Sequence, residues 1–159
     1  MDERNARQVL AAAVLGHLAV TFVHGAAHAG AQVPMSIAAS IFIYAVIVAG
    51  PLAGLWLARS RPRPGGWLVA ATMAGALVFG IVNHFVISSP DHVNHVATQW
   101  RMLFASTAVL LVITEGIGAA AGAWFASSRL RRPVLDTREH YGASASGAGV
   151  GPRAKLKKG

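Results

Sequence analysis

The sequence predicts an all-α integral membrane protein: a four-helix transmembrane bundle of antiparallel, up-down topology, with a disordered basic C-terminal tail. Three observations predict it. Of the 159 residues, 54% are hydrophobic and only 13% are charged, where an ordinary soluble domain carries about 25% charge. Four apolar runs each reach the roughly 20 residues that a helix needs to cross a bilayer. The runs are continuous rather than alternating, which argues against the strands of a barrel.

The first run is QVLAAAVLGHLAVTFVHGAAHAGA, about 8–31, preceded by a short polar stretch at 1–7. Its rival reading is a signal peptide, because Arg4 and Arg7 precede it and AHA at 27–29 resembles a small-residue cleavage site. Asp2, Glu3 and the histidines within the run oppose that reading. The second run, MSIAASIFIYAVIVAGPLAGLWLA, about 35–58, carries Pro51, which should bend it by removing one hydrogen bond and crowding the preceding turn. The third, GWLVAATMAGALVFGIVNHFVI, spans about 66–87, and the fourth, MLFASTAVLLVITEGIGAAAGAWFA, about 102–126. Short linkers make sequential helices antiparallel neighbours, so 8–128 form one domain. GPLAG (50–54) and GAAAG (118–122) offer small residues for close helix approach. Trp56, Trp67, Trp100 and Trp124 all fall near run ends, as interfacial anchors do.

Charge sets the orientation. Arg4 and Arg7, then Arg59, Arg61 and Arg63, then Arg129, Arg131 and Arg132 fall on one side of an even-numbered bundle; the other side has Arg101. The positive-inside rule places both termini in the cytoplasm and the protein, multi-pass, in the cell membrane. The formal charge of +8 therefore reads as topology signal and contact with lipid headgroups, and nucleic acid is not expected as a partner. Residues 129–159, rich in Gly, Ala and Ser and ending RAKLKKG, read as a flexible cytoplasmic tail that touches anionic lipid. His140 lies there and receives no role.

With this topology five of the seven histidines collect at the outer face. His24 and His28 are i, i+4 on one face of the first helix. His84, beside Asn83, lies near the outer end of the third. His92 and His95 belong to the outer loop SSPDHVNHV, where Ser89, Pro90 and Asp91 read as the start of a helix over about 90–99. Singly, each histidine reads as a hydrogen-bonding group between helices or, in the loop, as a solvated side chain. Jointly, His24, His28, His84 and one or both of His92 and His95 point to a metal site with nitrogen ligands. Asp91 is placed to orient an imidazole from behind the ligands.

Two ionisable groups lie deeper. His17 falls on the same stripe as His24, roughly 10 Å further in at 1.5 Å per residue. Glu115 sits at about the same depth in LLVITEGIGAAAG. A carboxyl there should face the bundle interior and by default marks function. The depth match predicts that His17 and Glu115 bond one another.

Several functions remain open on this reading. One is a membrane protein that handles or senses a transition metal ion, Zn, Cu or Fe, at the outer histidine cluster. Another is a small b-type cytochrome, with haem b held by His24 or His28 together with His84. A third is a small subunit of a membrane complex, or a proton pathway, that uses His17 and Glu115; a homo-oligomer fits the small size. An enzyme is the fourth. HGAAH (24–28) and DHVNH (91–95) resemble, over five residues each, the histidine boxes of membrane di-iron hydroxylases and desaturases, although the usual third box is missing. The chain has no cysteine, which removes thiolate sites and thiol nucleophiles. No Walker loop, dinucleotide fingerprint, GxSxG or HExxH is present.

Overall fold

A computed structural model describes residues 2–128; the expected tail at 129–159, with His140, lies outside the described residues. Among these residues the protein is all-helical, with four helices long and apolar enough to cross a membrane. Helix α1 (Glu3–Ala31) is followed by α2 (Ile37–Phe42), which runs through a π-helical segment (Ile43–Ala49) into α3 (Gly50–Ser60). Then come α4 (Pro62–Ile81), which ends in a second π segment (Val82–Val86), and α5 (Thr98–Ser128).

Helix α1 starts at Glu3, five residues before its apolar run, because Asp2 caps it: the side-chain carboxylate accepts the Asn5 amide at 2.7 Å. It stops at Gln32, which adopts the left-handed region (φ 55°) while the Gln32 and Val33 amides turn back onto Ala29 and His28 carbonyls. Helix α4 likewise starts before its apolar run, at Pro62, since proline is pre-shaped for a first helical turn.

Pro51 produces a π segment in the turns before it. It has no N–H for the Ile47 carbonyl four residues back, and that carbonyl instead lies 3.4 Å from His17 Nε2. The expected loop helix at 90–99 is corrected: Ile87–Ala97 is a succession of bends and turns, and α5 begins at Thr98. The reason is local competition for backbone groups. The Asp91 amide donates to Ser89 Oγ, Val93 to the His84 carbonyl and Asn94 to His92 Nδ1, while His95 Nδ1 donates to the Ser89 carbonyl. Few amides are left for an i→i−4 ladder.

The helices pair antiparallel. Gly30 of α1 lies against the Trp100 ring of α5, and His24 bonds Thr107. On α4, Gly66 meets the α5 backbone at Gly122, and Met73 lies over Gly118. Gly54 of α3 faces Val69, and Gly65 approaches Ala58. Both small-residue motifs thus serve one helix: GPLAG and GAAAG seat α3 and α5 on α4. Lipid is as apolar as leucine, so such contact area, rather than burial from water, is what holds membrane helices together. The main apolar core, with Leu10, Val14, Val69, Met73 and Phe125, fills the end of the bundle where Arg7 reaches the Arg59 carbonyl. At the opposite end a small cluster of Ala27, Val96 and Phe104 supports the histidines.

Candidate metal centre

Three helical positions build the centre. His24 and His28 project from successive turns of α1, on the buried stripe that also carries Leu10, Val14 and His17. His84 comes from the π segment that closes α4, where the Ile87 amide bonds the Val82 carbonyl five residues back. All three imidazoles are buried. One ring nitrogen of each lies within 4.8 Å of those of the other two. Phe104 of α5, fully buried, packs against all three rings at centroid distances of 4.8, 4.8 and 5.4 Å.

The hydrogen bonds fix which nitrogens are free. Thr107 donates its hydroxyl proton to the Leu103 carbonyl at 2.7 Å, so its oxygen accepts from His24 Nδ1–H at 2.8 Å. His24 Nε2 is then bare. His84 Nδ1 faces only acceptors, the Asp91 carbonyl at 3.1 Å and Asp91 Oδ1 at 3.3 Å, so it carries the proton and His84 Nε2 is bare. The two bare nitrogens stand 3.2 Å apart. His28 Nε2 lies 3.1 Å from Asp91 Oδ1, and its Nδ1 is buried and without a hydrogen bond. Both contacts to Asp91 Oδ1 are at ion-pair distance but off the angle of a hydrogen bond.

Lone pairs facing one another at this distance repel. One proton shared between His24 and His84 relieves that pair and leaves His28 Nδ1 unsatisfied, at a cost of about 1–3 kcal/mol for a buried polar group. A metal ion serves all three. At about 2.0–2.1 Å per bond, tetrahedral nitrogens stand roughly 3.3 Å apart, so the His24–His84 spacing is already suitable and separations of up to 4.8 Å need to contract by up to about 1.5 Å. Three nitrogen ligands also leave a coordination position open, as in catalytic and exchange sites.

The same geometry does not fit the bis-histidine haem considered for His24 or His28 with His84. Axial nitrogens on opposite faces of a haem stand about 4 Å apart with the macrocycle between them. Here the His24 and His84 rings meet edge to face at a centroid distance of 4.9 Å, and the His28 and Phe104 rings each stand 4.8 Å from His24. No planar slot separates them.

The structure does not bring His92 and His95 into the triad. Their rings pair with each other at 5.3 Å in the loop, and His95 is exposed. The His92 Nδ1 lone pair takes the Asn94 amide, and His95 Nδ1 is committed to Ser89. Asn83 donates to the Phe79 carbonyl rather than to a histidine. The expected bond between His17 and Glu115 is also absent: His17 Nε2 lies by the Ile47 carbonyl and 3.3 Å from the Thr21 hydroxyl. Equal depth says nothing about rotation around a helix axis. Glu115 instead faces a cavity of about 890 Å³ that also borders the triad and Asp91. Its Oε2 is buried with no hydrogen bond and lies against Gly80, one turn before His84 on α4.

Two residues at the site read from the sequence as structural only: Thr107 as a hydrogen-bonding group between helices, which its bond to His24 makes it, and Phe104 as a packing or lipid-facing side chain. Thr107 had a signal, since 107, 111 and 115 form one helical stripe that ends in the carboxyl. Phe104 had none beyond being aromatic. No family model, no curated protein and no solved structure matches the chain, so function is argued from this geometry.

Proposed function

We propose that the chain is a multi-pass membrane protein, with both termini cytoplasmic, whose His24–His28–His84 triad binds one transition metal ion near the outer face. The observation that carries this is the convergence of the three buried imidazoles, with the His24 and His84 Nε2 atoms 3.2 Å apart while their Nδ1 atoms face Thr107 and Asp91 oxygens. Three neutral imidazoles suit Zn(II), Cu(II) or Fe(II). Asp91, beside two of the imidazoles, supplies the carboxylate that orients histidine ligands and raises their basicity. An open coordination position fits handling or sensing of the ion better than a closed structural role.

The membrane reading is supported by the outward faces. Met102 is 85% exposed, Ile37 80% and Phe22 70%, and apolar surface on this scale calls for lipid around it. The described arginines of the N-terminus and the 59–63 stretch gather at the end of the bundle remote from the histidines, which supports placing that end inside.

The test is metal content. Detergent-purified protein loaded with Zn(II) and then dialysed should retain about one ion per chain by elemental analysis. His24→Ala and His84→Ala should each lose it, while a His92→Ala/His95→Ala double variant keeps it. Retention by both triad variants, with helical circular dichroism intact, or no uptake by the parent chain, contradicts the proposal.

A further inference from the structure

The cavity beside the triad has features that metal binding alone does not use. It lies between the outer half of α1 and the Ser36–Val48 stretch, bordered also by the end of α4 and by Leu111 and Glu115 of α5. These two walls are bridged at its inner edge by His17, whose Nε2 meets the Ile47 carbonyl. Further out they part. Phe22 from one wall and Tyr44 from the other line the cavity and are still 70% and 69% exposed, so they flank a mouth that opens sideways. In a bilayer that mouth faces lipid, and what enters it partitions from the membrane.

Two chemical demands lie inside. Glu115, 1% exposed, presents Oε2 without a hydrogen bond, which calls for a polar partner. A metal on the triad has a coordination position to fill. Glu115 and the triad histidines border this one cavity, so a single ligand with an oxygen at each end can answer both. Tyr44 and Phe79 furnish aromatic wall between these points, and the volume falls in the ordinary range for a small-molecule site.

We propose that this cavity binds a lipophilic hydroquinone, entering between Phe22 and Tyr44, with one hydroxyl oxygen on the triad metal and the other hydroxyl donating to Glu115. The inference rests on the metal reading above. It assigns Glu115 to ligand binding and gives the centre a membrane-soluble ligand.

The experiment uses the full chain in detergent, loaded with Co(II), whose visible bands report its coordination. Cobalt stoichiometry is measured first. Trimethylhydroquinone, titrated anaerobically, should shift the bands and saturate, whereas its dimethyl ether, which lacks both donors, should not. Glu115→Leu should keep its cobalt and weaken hydroquinone binding at least about tenfold; Glu115→Gln, which keeps an acceptor oxygen and the shape, should recover part of it. Equal binding of the ether, or unchanged affinity in Glu115→Leu, overturns the inference and leaves the metal site standing. Absence of stoichiometric cobalt overturns the metal reading and this inference together.

Discussion

Each imidazole of the triad can serve as a metal ligand only where a neighbour takes up its other nitrogen. Thr107 fixes the His24 tautomer, and Asp91 fixes His84 and faces His28. Asp91→Asn keeps the volume and the backbone carbonyl that holds His84 but removes the negative charge. Metal affinity should fall about 10–100-fold, as for other partners behind histidine ligands, measured by competition with a chelator of known affinity. Unchanged affinity would mean that Asp91 plays no part in tuning the centre. The i, i+4 spacing made the His24–His28 pair legible in the sequence. His84 was legible as an outer-end residue because topology fixed its depth. Depth alone failed for Glu115 and His17, where rotation about the helix axis decides the partner. It failed too for His92 and His95, whose ring nitrogens the loop backbone claims.

At the scale of the element, the site depends on how closely α4 is approached. A Cβ on Gly122 would stand 2.7 Å from the Ala70 amide nitrogen and 2.8 Å from the Gly66 carbonyl, both backbone atoms that cannot step aside. Gly122→Ala should therefore separate α4 from α5 and destabilise the protein by about 1–3 kcal/mol, read as an earlier thermal transition in detergent. Gly116→Ala on the same helix meets nothing within 4 Å and should be neutral, or stabilising by about 0.5–1 kcal/mol through helix propensity. Equal effects of the two would show that the close approach does not govern stability. Continuous hydropathy showed four long helices, but polar first turns and proline starts carried α1 and α4 beyond their apolar runs. The π segments at Ile43–Ala49 and Val82–Val86 were illegible, since a change of hydrogen-bond register leaves no hydrophobic period. The helix expected over about 90–99 is instead loop as far as Ala97, because the Ser-Pro-Asp start signal does not register the side chains that take up the amides after it.

Over the whole molecule, an arginine end stands apart from a histidine end. The chain has no cysteine, so single thiols can be introduced cleanly at the exposed Ser60 and Ser88. In intact cells a membrane-impermeant maleimide should label Ser88→Cys, while Ser60→Cys labels only after lysis; the reverse pattern would invert the orientation. The most direct test of the central claim is X-ray absorption at the metal edge of the zinc-loaded protein. The expected shell holds three imidazole nitrogens at about 2.0–2.1 Å, and His84→Ala should lose one imidazole contribution or the bound metal. A coordination shell without three imidazoles, or one that His84→Ala leaves unchanged, would contradict the claim.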